Sequence, residues 1–173
     1  LNPGISSQQI QELFEEIPLQ PNQDLRALYT WRNGSKDSEG ITLGELAFFP
    51  GFYLMSLEES IQTYMGLRAS DGWDKSWFQI FASGGGDFYA MNLAPESQGQ
   101  IHGVYVYEEE PQVEYRSLKS MLTTFKVCYE QGVIFRNKQG YLDMDYRKHA
   151  EIAHDINPEV KIWLEFLKET EEE

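Results

Sequence analysis

The residues best suited to catalysis or metal binding are few, and their spacing favours neither. The chain has three histidines, His102, His149 and His154, and a single cysteine, Cys128. Side chains five positions apart on a helix point in different directions, so His149 and His154 form neither a zinc-binding pair nor part of a nucleophile and base arrangement. Cys128 lies in an apolar helical pattern typical of a buried, unreactive thiol. We expect no metal and no cofactor.

Pairs of carboxylates offer a second route to chemistry, because one can act as a general acid and the other as a general base. Glu58 and Glu59 have the position of a first helical turn, where acidic side chains interact favourably with the helix dipole. Asp71 and Asp74 lie in a polar segment around Gly72. Neither pair comes with a nucleophile or a metal-ligand pattern. The sequence therefore predicts a protein that is not an enzyme.

A glycine cluster between two aromatic-rich runs is the most informative local pattern. Residues 77–93 read WFQIFASGGGDFYAMNL, and Gly84, Gly85 and Gly86 can adopt the positive φ of a tight turn without a Cβ penalty. A phosphate-binding loop would need glycines that open a helix, or a lysine after them, and the sequence has neither here. The pattern predicts a β-hairpin whose glycines shape the turn rather than hold a ligand.

Composition indicates a folded domain with a strongly acidic surface. The 173 residues are 41% apolar and 14% aromatic, and the formal net charge is -14. This charge repels nucleic acid and anionic membranes and favours encounter with basic proteins. The alternative is that the charge only promotes solubility, because the acidic runs at 108–110 and 171–173 are expected to face solvent. We expect one domain over residues 1–173 and a basic protein partner, with no nucleic-acid or membrane partner.

Features of the whole chain favour a cytoplasmic protein. A single cysteine cannot form an intramolecular disulfide, and cytoplasmic proteins rarely contain one. The sequence has neither an apolar run of about 20 residues nor a leader in which basic residues precede apolar ones. A leader removed before Leu1 stays open as an alternative.

Capping residues and apolar spacing predict the helices. Serine, asparagine and aspartate accept hydrogen bonds from the free amides of a first helical turn, and glycine or proline ends a helix. The predicted helices cover 7–17, a segment from Asn22 or Asp24 to Asn33 and Gly34, a segment from Ser56 to about Gly72, a segment from Ser117 to Gly132, 146–154, and a final helix from Asn157 and Pro158 whose apolar face contains Val160, Trp163, Leu164 and Leu167.

Strand-favouring residues are concentrated in the middle of the chain. The predicted strands cover Ile41 to Leu43, Ala47 to Phe49, Phe52 to Met55, the hairpin at 77–93, Gln100 to Tyr107 and Val133 to Phe135. Helices at both ends and consecutive strands between them are typical of α+β proteins. We therefore predict a mostly antiparallel central sheet that is covered by helices from both ends of the chain.

Aromatic side chains near acidic residues are the best candidates for a protein-binding surface, because large rings supply much of the binding energy of interfaces. Most of the four tryptophans are expected in the core. Trp73 is the best candidate for exposure, since polar residues surround it. The candidate binding residues are Asp71, Trp73, Asp74, Glu108, Glu109 and Glu110.

Several motifs in a fixed order resemble those of a known family. They are LRALYTWRNG at 25–34, FPGFYLMSLEE at 49–59, WFQIFASGGGDFY at 77–89, Gly103 with Val104, and SLKSML at 117–122. The order and spacing resemble the SUKH superfamily, the Smi/Knr family of fungal cell-wall and glucan-synthesis regulators and bacterial proteins. The resemblance covers about residues 6–132, and residues 133–173 form a helical extension that matches nothing diagnostic.

The resemblance implies a non-enzymatic α+β domain that binds other proteins. Many bacterial members resemble immunity proteins, which block a cognate toxin domain that is often a nuclease or a deaminase. The acidic charge agrees with a basic toxin partner. Two alternatives stay open: a regulatory scaffold like the fungal members, and a domain that binds a small ligand or carbohydrate through aromatic side chains near the glycine turn.

The family motifs imply structural roles more than functional ones. The family has no universal catalytic set, so no catalytic residue is expected. The positions that match its motifs are Trp31, Asn33, Gly34, Pro50, Trp77, Gly86, Asp87 and Tyr89, and most are expected to be structural.

Overall fold

The structure is a computed structural model that describes residues 1–36, 39–70, 72–97, 99–108 and 110–170. Its fold is α+β, which confirms the predicted class. In chain order the elements in these ranges are α1 (Ser7–Phe14), α2 (Gln23–Trp31), α3 (Leu43–Leu46), β1 (Tyr53–Leu54), α4 (Leu57–Leu67), β2 (Trp77–Ala82), β3 (Phe88–Asn92), a 3-10 turn (Pro95–Ser97), β4 (Ile101–Val104), β5 (Gln112–Tyr115), α5 (Leu118–Glu130), β6 (Ile134–Arg136), β7 (Leu142–Met144), α6 (Tyr146–Ile156) and α7 (Lys161–Glu169).

Strands β1 to β5 form one antiparallel sheet in which each strand pairs with its neighbour in the chain. The hairpin predicted at 77–93 is confirmed, because β2 pairs with β3 across a turn at 83–87. Gly84 and Gly86 hold φ angles of 77° and 106° in this turn. These angles belong to the left-handed region that favours glycine, so the turn depends on both residues.

The core lies between one face of this sheet and helices α1, α4 and α5. The Phe14 ring of α1 lies 5.0 Å from the Phe78 ring of β2, and Tyr64 of α4 packs on the same ring. Phe125 of α5 stacks on Phe49 with ring centroids 4.0 Å apart. Large rings remove much apolar surface from water, which is the main stabilising contribution to such a fold.

Most helix starts lie where the capping residues predict them. Ser6 forms a capping box with Gln9, and Asn22 Oδ1 accepts a hydrogen bond from the Leu25 amide at 3.0 Å. Ser117 caps α5 in the same way. Two helices end earlier than predicted: α1 ends at Phe14 rather than residue 17, and α4 ends at Leu67.

The two strands predicted between Ile41 and Phe49 are wrong. Residues 43–46 form the short helix α3, and Phe49 makes only an isolated bridge with Phe52. The Glu45 carboxylate accepts hydrogen bonds from both the amide and the hydroxyl of Thr42. This capping box favours a helical turn over the strand that the apolar residues alone indicated.

The C-terminal predictions need three corrections. Strands β5 and β7 were not predicted, and the final helix begins at Lys161 rather than at Asn157. The Asn157 side chain is buried and bonds to the Arg116 amide and the Ala153 carbonyl, so it ends α6 instead of capping α7. Leu164 was expected on the apolar face of the last helix, but it is 40% exposed.

The segment after α5 packs against the rest of the molecule. Ala150 and Ala153 of α6, Val160 and Trp163 of α7 belong to the same cluster of buried residues as the sheet core. Strands β6 and β7 form a separate two-stranded hairpin. Within the ranges that the structure covers, no helix combines the length and the apolar content needed to cross a bilayer.

Candidate functional site

A groove opens between the helix-packed face of the sheet and the C-terminal segment. Its volume is about 480 Å³. Aromatic and aliphatic side chains make most of its walls, and two carboxylates, Glu108 and Glu114, lie among them. The aromatic side chains that matter most are Phe49, Phe52, Tyr89, Tyr105, Trp163 and Phe166.

Glu114 lies on the groove side of the sheet because β5 is irregular. Ile101 pairs with Tyr115 and His102 pairs with Val113, so Glu114 is an extra residue between the two pairs. A bulge of this kind re-aims a side chain relative to regular alternation. Glu114 and Tyr115 are therefore both buried, although they are neighbours in a strand.

Two tyrosine hydroxyls satisfy the Glu114 carboxylate. Tyr105 donates to Oε1 at 2.6 Å, and Tyr89 donates to Oε2 at 2.9 Å. Burial raises the pKa of Glu114 to about 7 against the lowering effect of these hydrogen bonds, and the Glu108 carboxylate raises it further. Burial also raises the pKa values of both tyrosines, so they remain protonated donors.

Gly103 provides the space that the carboxylate occupies. A Cβ atom at this position would overlap Glu114 Oε1 and would lie 2.7 Å from Cε2 of Tyr105. Gly103 pairs with Tyr89 across β3 and β4, directly beside the cluster. The glycine is thus needed for close approach, rather than for an unusual backbone conformation.

The C-terminal helices support the groove from the other side. Trp163 Nε1 of α7 donates to the Glu114 carbonyl oxygen at 2.6 Å. His149 Nε2 of α6 lies 3.1 Å from the Tyr115 hydroxyl. Burial lowers the pKa of His149 to about 4, so this ring is neutral at physiological pH. These contacts tie β5 to both helices.

The turn between β4 and β5 lies beside the groove, which its residue Glu108 lines. Tyr107 is 98% exposed, and Val106, Glu108 and Glu110 are exposed around it. We call these four residues the rim. Asp87 Oδ1 accepts a hydrogen bond from the Val106 amide at 2.9 Å, which ties the rim to the β2–β3 hairpin turn. The rim therefore exposes an aromatic ring and two carboxylates within one turn.

The model of the SMI1/KNR4 family (SUKH-1) matches residues 4–125, which is more than half of the chain. The chain belongs to the SMI1/KNR4 family. Membership puts it in the general class of immunity-protein and regulator domains. No curated protein matches the chain.

The SMI1/KNR4 match ends within α5, so the groove joins two parts of the chain. Tyr89, Tyr105 and Glu114 come from the matched region. Trp163 and Phe166 come from the residues after it. One wall of the groove is therefore built from a segment that the family model does not cover.

Two SMI1/KNR4 motif positions connect α2 to α4. Asn33 Oδ1 accepts a hydrogen bond from the Leu57 amide at 2.7 Å, and its Nδ2 donates to Glu58 at 2.9 Å. Gly34 has a φ of 88°, and a Cβ there would lie 2.8 Å from the Ser56 amide nitrogen. Asn33 thus does more than end α2, because it also caps the next helix.

Other motif positions shape the groove and the turn beside it. Gly86 holds a positive φ, and Asp87 binds the rim amide described above. Pro50 is buried at the groove wall, and the Tyr89 hydroxyl binds Glu114. Tyr89 is therefore the motif position closest to a functional role.

The candidate binding residues divide between two places. Glu108 and Glu110 lie on the rim, next to the turn that follows Val104. Trp73 and Asp74 lie in the segment that precedes β2. Trp77 at the start of β2 pairs with the end of β3, whereas Val104 pairs with its beginning. The Trp73 ring contacts Phe88, which pairs with Val104, and a shared binding surface for the candidate residues stays a prediction.

Asp71 and Glu109, also candidates, lie outside the residues that the structure describes. Trp73 is less exposed than predicted, because its ring packs edge-on against Trp77 at 5.6 Å and against Phe88 at 6.5 Å. Trp31, at the end of α2, is the more exposed tryptophan, with half of its surface accessible.

Trp73 belongs to a second polar and aromatic cluster, on the other face of the sheet. The Trp77 ring lies 4.8 Å from the His102 ring, and Gln79 is buried on the same strand. We call Trp73, Trp77, Gln79 and His102 the second cluster. Both indole nitrogens, the Gln79 amide and both His102 nitrogens are buried without a hydrogen-bond partner among the described residues.

Reasoning from the sequence missed the centre of the groove. Glu114 follows no alternation because a bulge places it, and Tyr105 was not among the candidate binding residues. Gly103 carried a usable signal, since an isolated glycine in a strand pattern indicates a bulge or a close approach of other atoms. That signal locates the site but does not identify the carboxylate.

Proposed function

We propose that this protein acts by stoichiometric binding to a basic protein partner, as an immunity protein that neutralises a cognate toxin. The observation that carries the proposal is the rim, where the fully accessible Tyr107 ring is followed in the same turn by the exposed residues Glu108 and Glu110. Aromatic rings supply interface energy, and surrounding carboxylates accelerate encounter with a positively charged surface.

The charge at the rim is available to a partner. Neither Glu108 nor Glu110 forms an ion pair with any described residue. The whole chain carries a net charge of -14, so a basic nuclease or deaminase would be attracted from a distance. Such a toxin, once bound, would have its nucleic-acid surface covered by the acidic rim.

A role without catalysis agrees with the chemistry of the nucleophilic candidate. The Cys128 thiol is buried, and burial raises its pKa to about 11. A protonated, inaccessible thiol is a poor nucleophile. A regulatory role like that of the fungal members would use the same rim with a partner that is not toxic.

Affinity capture from the source cell followed by binding kinetics tests the proposal. We expect one basic partner, whose association rate falls at high salt and in the variant Glu108→Lys with Glu110→Lys. The matched control reverses Glu15 and Glu16, which are exposed directly after α1, because it changes the net charge equally outside the rim. The control should slow association less than the rim variant does.

Three results would overturn the proposal or part of it. If no protein is recovered, stoichiometric binding is wrong. If the partner's association rate changes neither with salt concentration nor in the rim variant, the acidic charge serves only solubility. If the partner is recovered but is harmless when expressed alone, the protein is a regulator rather than an immunity protein.

A further inference from the structure

The groove combines two carboxyl groups with aromatic walls. Glu114 is 3% exposed, and Glu108 stands at the opening. Of the described residues that line the groove, none is a lysine or an arginine. A buried carboxylate usually has a cationic partner, because burial of an isolated charge is costly. Among the residues that the structure describes, only the hydroxyl groups of Tyr89 and Tyr105 donate hydrogen bonds to this carboxylate.

The Glu114 carboxylate retains capacity to bind more donors. Each of its oxygens accepts one hydrogen bond, from Tyr105 or from Tyr89, whereas a carboxylate offers about four acceptor positions. Gly103 leaves the space that Oε1 itself occupies, so the glycine fixes the position of this oxygen. The oxygens are thus held in place without being saturated.

The walls favour a planar cation over other ligands. Aromatic faces carry partial negative charge, so they attract cations and disfavour anions. The volume of about 480 Å³ is at the lower end of ligand cavities, which suits a single long side chain. A guanidinium group is planar, stacks on aromatic rings and pairs with a carboxylate through two hydrogen bonds.

We propose that the groove receives an arginine side chain of the protein partner, whose guanidinium binds Glu114 against the rings of Tyr105 and Phe52. This inference rests on the proposed function, because it names the part of the basic partner that enters. Glu108 guides the cation at the opening. Phe166 and Trp163, from the segment beyond the family match, close the opposite wall and select which side chain fits.

Titration of the isolated protein with N-acetyl-arginine amide, followed by NMR, tests the inference. We expect saturable shifts of the Gly103, Tyr105 and Glu114 amide signals. N-acetyl-citrulline amide is the matched control, because it has nearly the same shape without the charge. Its affinity should be lower than that of the arginine compound by at least about tenfold. Equal binding of both compounds, or no saturable shift with the arginine compound, overturns the inference.

Variants locate the binding site of the arginine compound. Glu114→Gln should weaken its binding by about tenfold, since a charged hydrogen-bonded pair is lost. Glu16→Gln is the control, because Glu16 is exposed directly after α1 and does not line the groove, so the affinity of this variant for the arginine compound should be unchanged. If Glu114→Gln fails to fold, Phe166→Ala provides the test instead, because it removes a half-buried side chain from the groove wall. The affinity for the arginine compound should then fall severalfold. Unchanged binding in the folded groove variant overturns the inference.

Competition separates this inference from the proposed function. If the arginine compound displaces the captured partner, both are supported. If the partner binds equally well to wild type and to Glu114→Gln, the inference is wrong while the proposed function stands. If the arginine compound binds but no protein partner exists, the proposed function is wrong, and the groove serves a free guanidinium compound instead of a partner side chain.

Discussion

The two faces of the sheet treat buried polar groups in opposite ways. On the groove side, the Glu114 carboxylate accepts hydrogen bonds from Tyr105 and Tyr89. The backbone carbonyl oxygen of Glu114 also accepts a hydrogen bond, from the Trp163 indole N–H. On the other face, the second cluster buries indole, amide and imidazole groups that have no partner among the described residues. The first arrangement is organised around one charge, and the second consists of neutral groups.

This difference indicates that the buried carboxylate of the groove has a role that packing alone does not explain. A buried, unpaired neutral group costs about 1–3 kcal/mol, and a buried charge costs more unless it is hydrogen-bonded. Glu114 could be replaced by an apolar residue in a protein selected only for stability. A bulge, a glycine and two tyrosines instead maintain its carboxylate, which is the strongest reason to look for function in the groove.

The largest expected effect is a dependence of stability on pH that belongs to the groove alone. The pKa of Glu114 rises from 4.5 in the unfolded chain to about 7. Between these values only the unfolded chain loses this proton, so Glu114 makes stability fall as pH rises. As pH is raised from about 4 to about 8, the free energy of unfolding of Glu114→Gln should therefore increase relative to that of wild type by on the order of 3 kcal/mol.

His149 provides an internal check on that measurement. Its pKa falls from 6.5 to about 4 on folding, so the unfolded chain binds the extra proton and stability rises with pH in this window. Glu114 and His149 therefore oppose each other in wild type between about pH 4.5 and 6.5. Urea unfolding of Glu114→Gln should reveal the rising slope of His149. Identical pH profiles for both proteins would contradict the assignment.

The next effect concerns the space beside the carboxylate. Gly103→Ala should destabilise the protein by about 2–3 kcal/mol, because the added Cβ displaces Glu114 from its donors. Gly66→Ala in α4 is the control, since nothing lies near its Cβ position and alanine favours a helix by about 0.5–1 kcal/mol. Thermal unfolding should therefore give opposite signs. A harmless Gly103→Ala would mean that the groove floor is loosely packed.

Removing one donor should cost somewhat less. Tyr105→Phe leaves a buried carboxylate oxygen unpaired, with an expected loss of about 2 kcal/mol. Tyr53→Phe is the matched control, because Tyr53 also donates to a glutamate, Glu59, at 2.6 Å. Glu59 is only half-buried, so this variant should lose less than about 1 kcal/mol of stability. Similar losses in chemical denaturation would remove the distinction between the two pairs.

The smallest effect tests the second cluster and should have the opposite sign. Gln79→Met keeps the approximate shape and removes an amide that has no partner within the described ranges, so we expect a gain of about 1 kcal/mol. Gln112→Met, at an exposed position of β5, should change stability very little. A clear loss in Gln79→Met would place a hydrogen-bonded amide there and would break the contrast between the faces.

Local signals predicted much of the fold. The hairpin followed from Gly84 and Gly86, and the helix starts followed from Ser6, Asn22 and Ser117, because turns and caps depend on residues within a few positions. The same kind of local reasoning misread residues 41–49, where apolar side chains outweighed the capping box of Thr42 and Glu45. Local rules fail where two of them compete in a short segment.

The candidate site was predicted only in part. The acidic run that contains Glu108 and Glu110 was expected to face solvent, and those two residues are exposed. The binding role of all these residues stays a prediction.

The sequence by itself determined the class of this protein: an acidic α+β domain of the SMI1/KNR4 family, with its hairpin and most of its helix starts. Only the tertiary structure decided that Glu114 meets Tyr89 and Tyr105, and that Trp163 closes the wall behind them. The reason is physical. Turns and caps arise between neighbours in the chain, whereas a buried charge depends on residues from distant segments and on a bulge that no periodic pattern reveals.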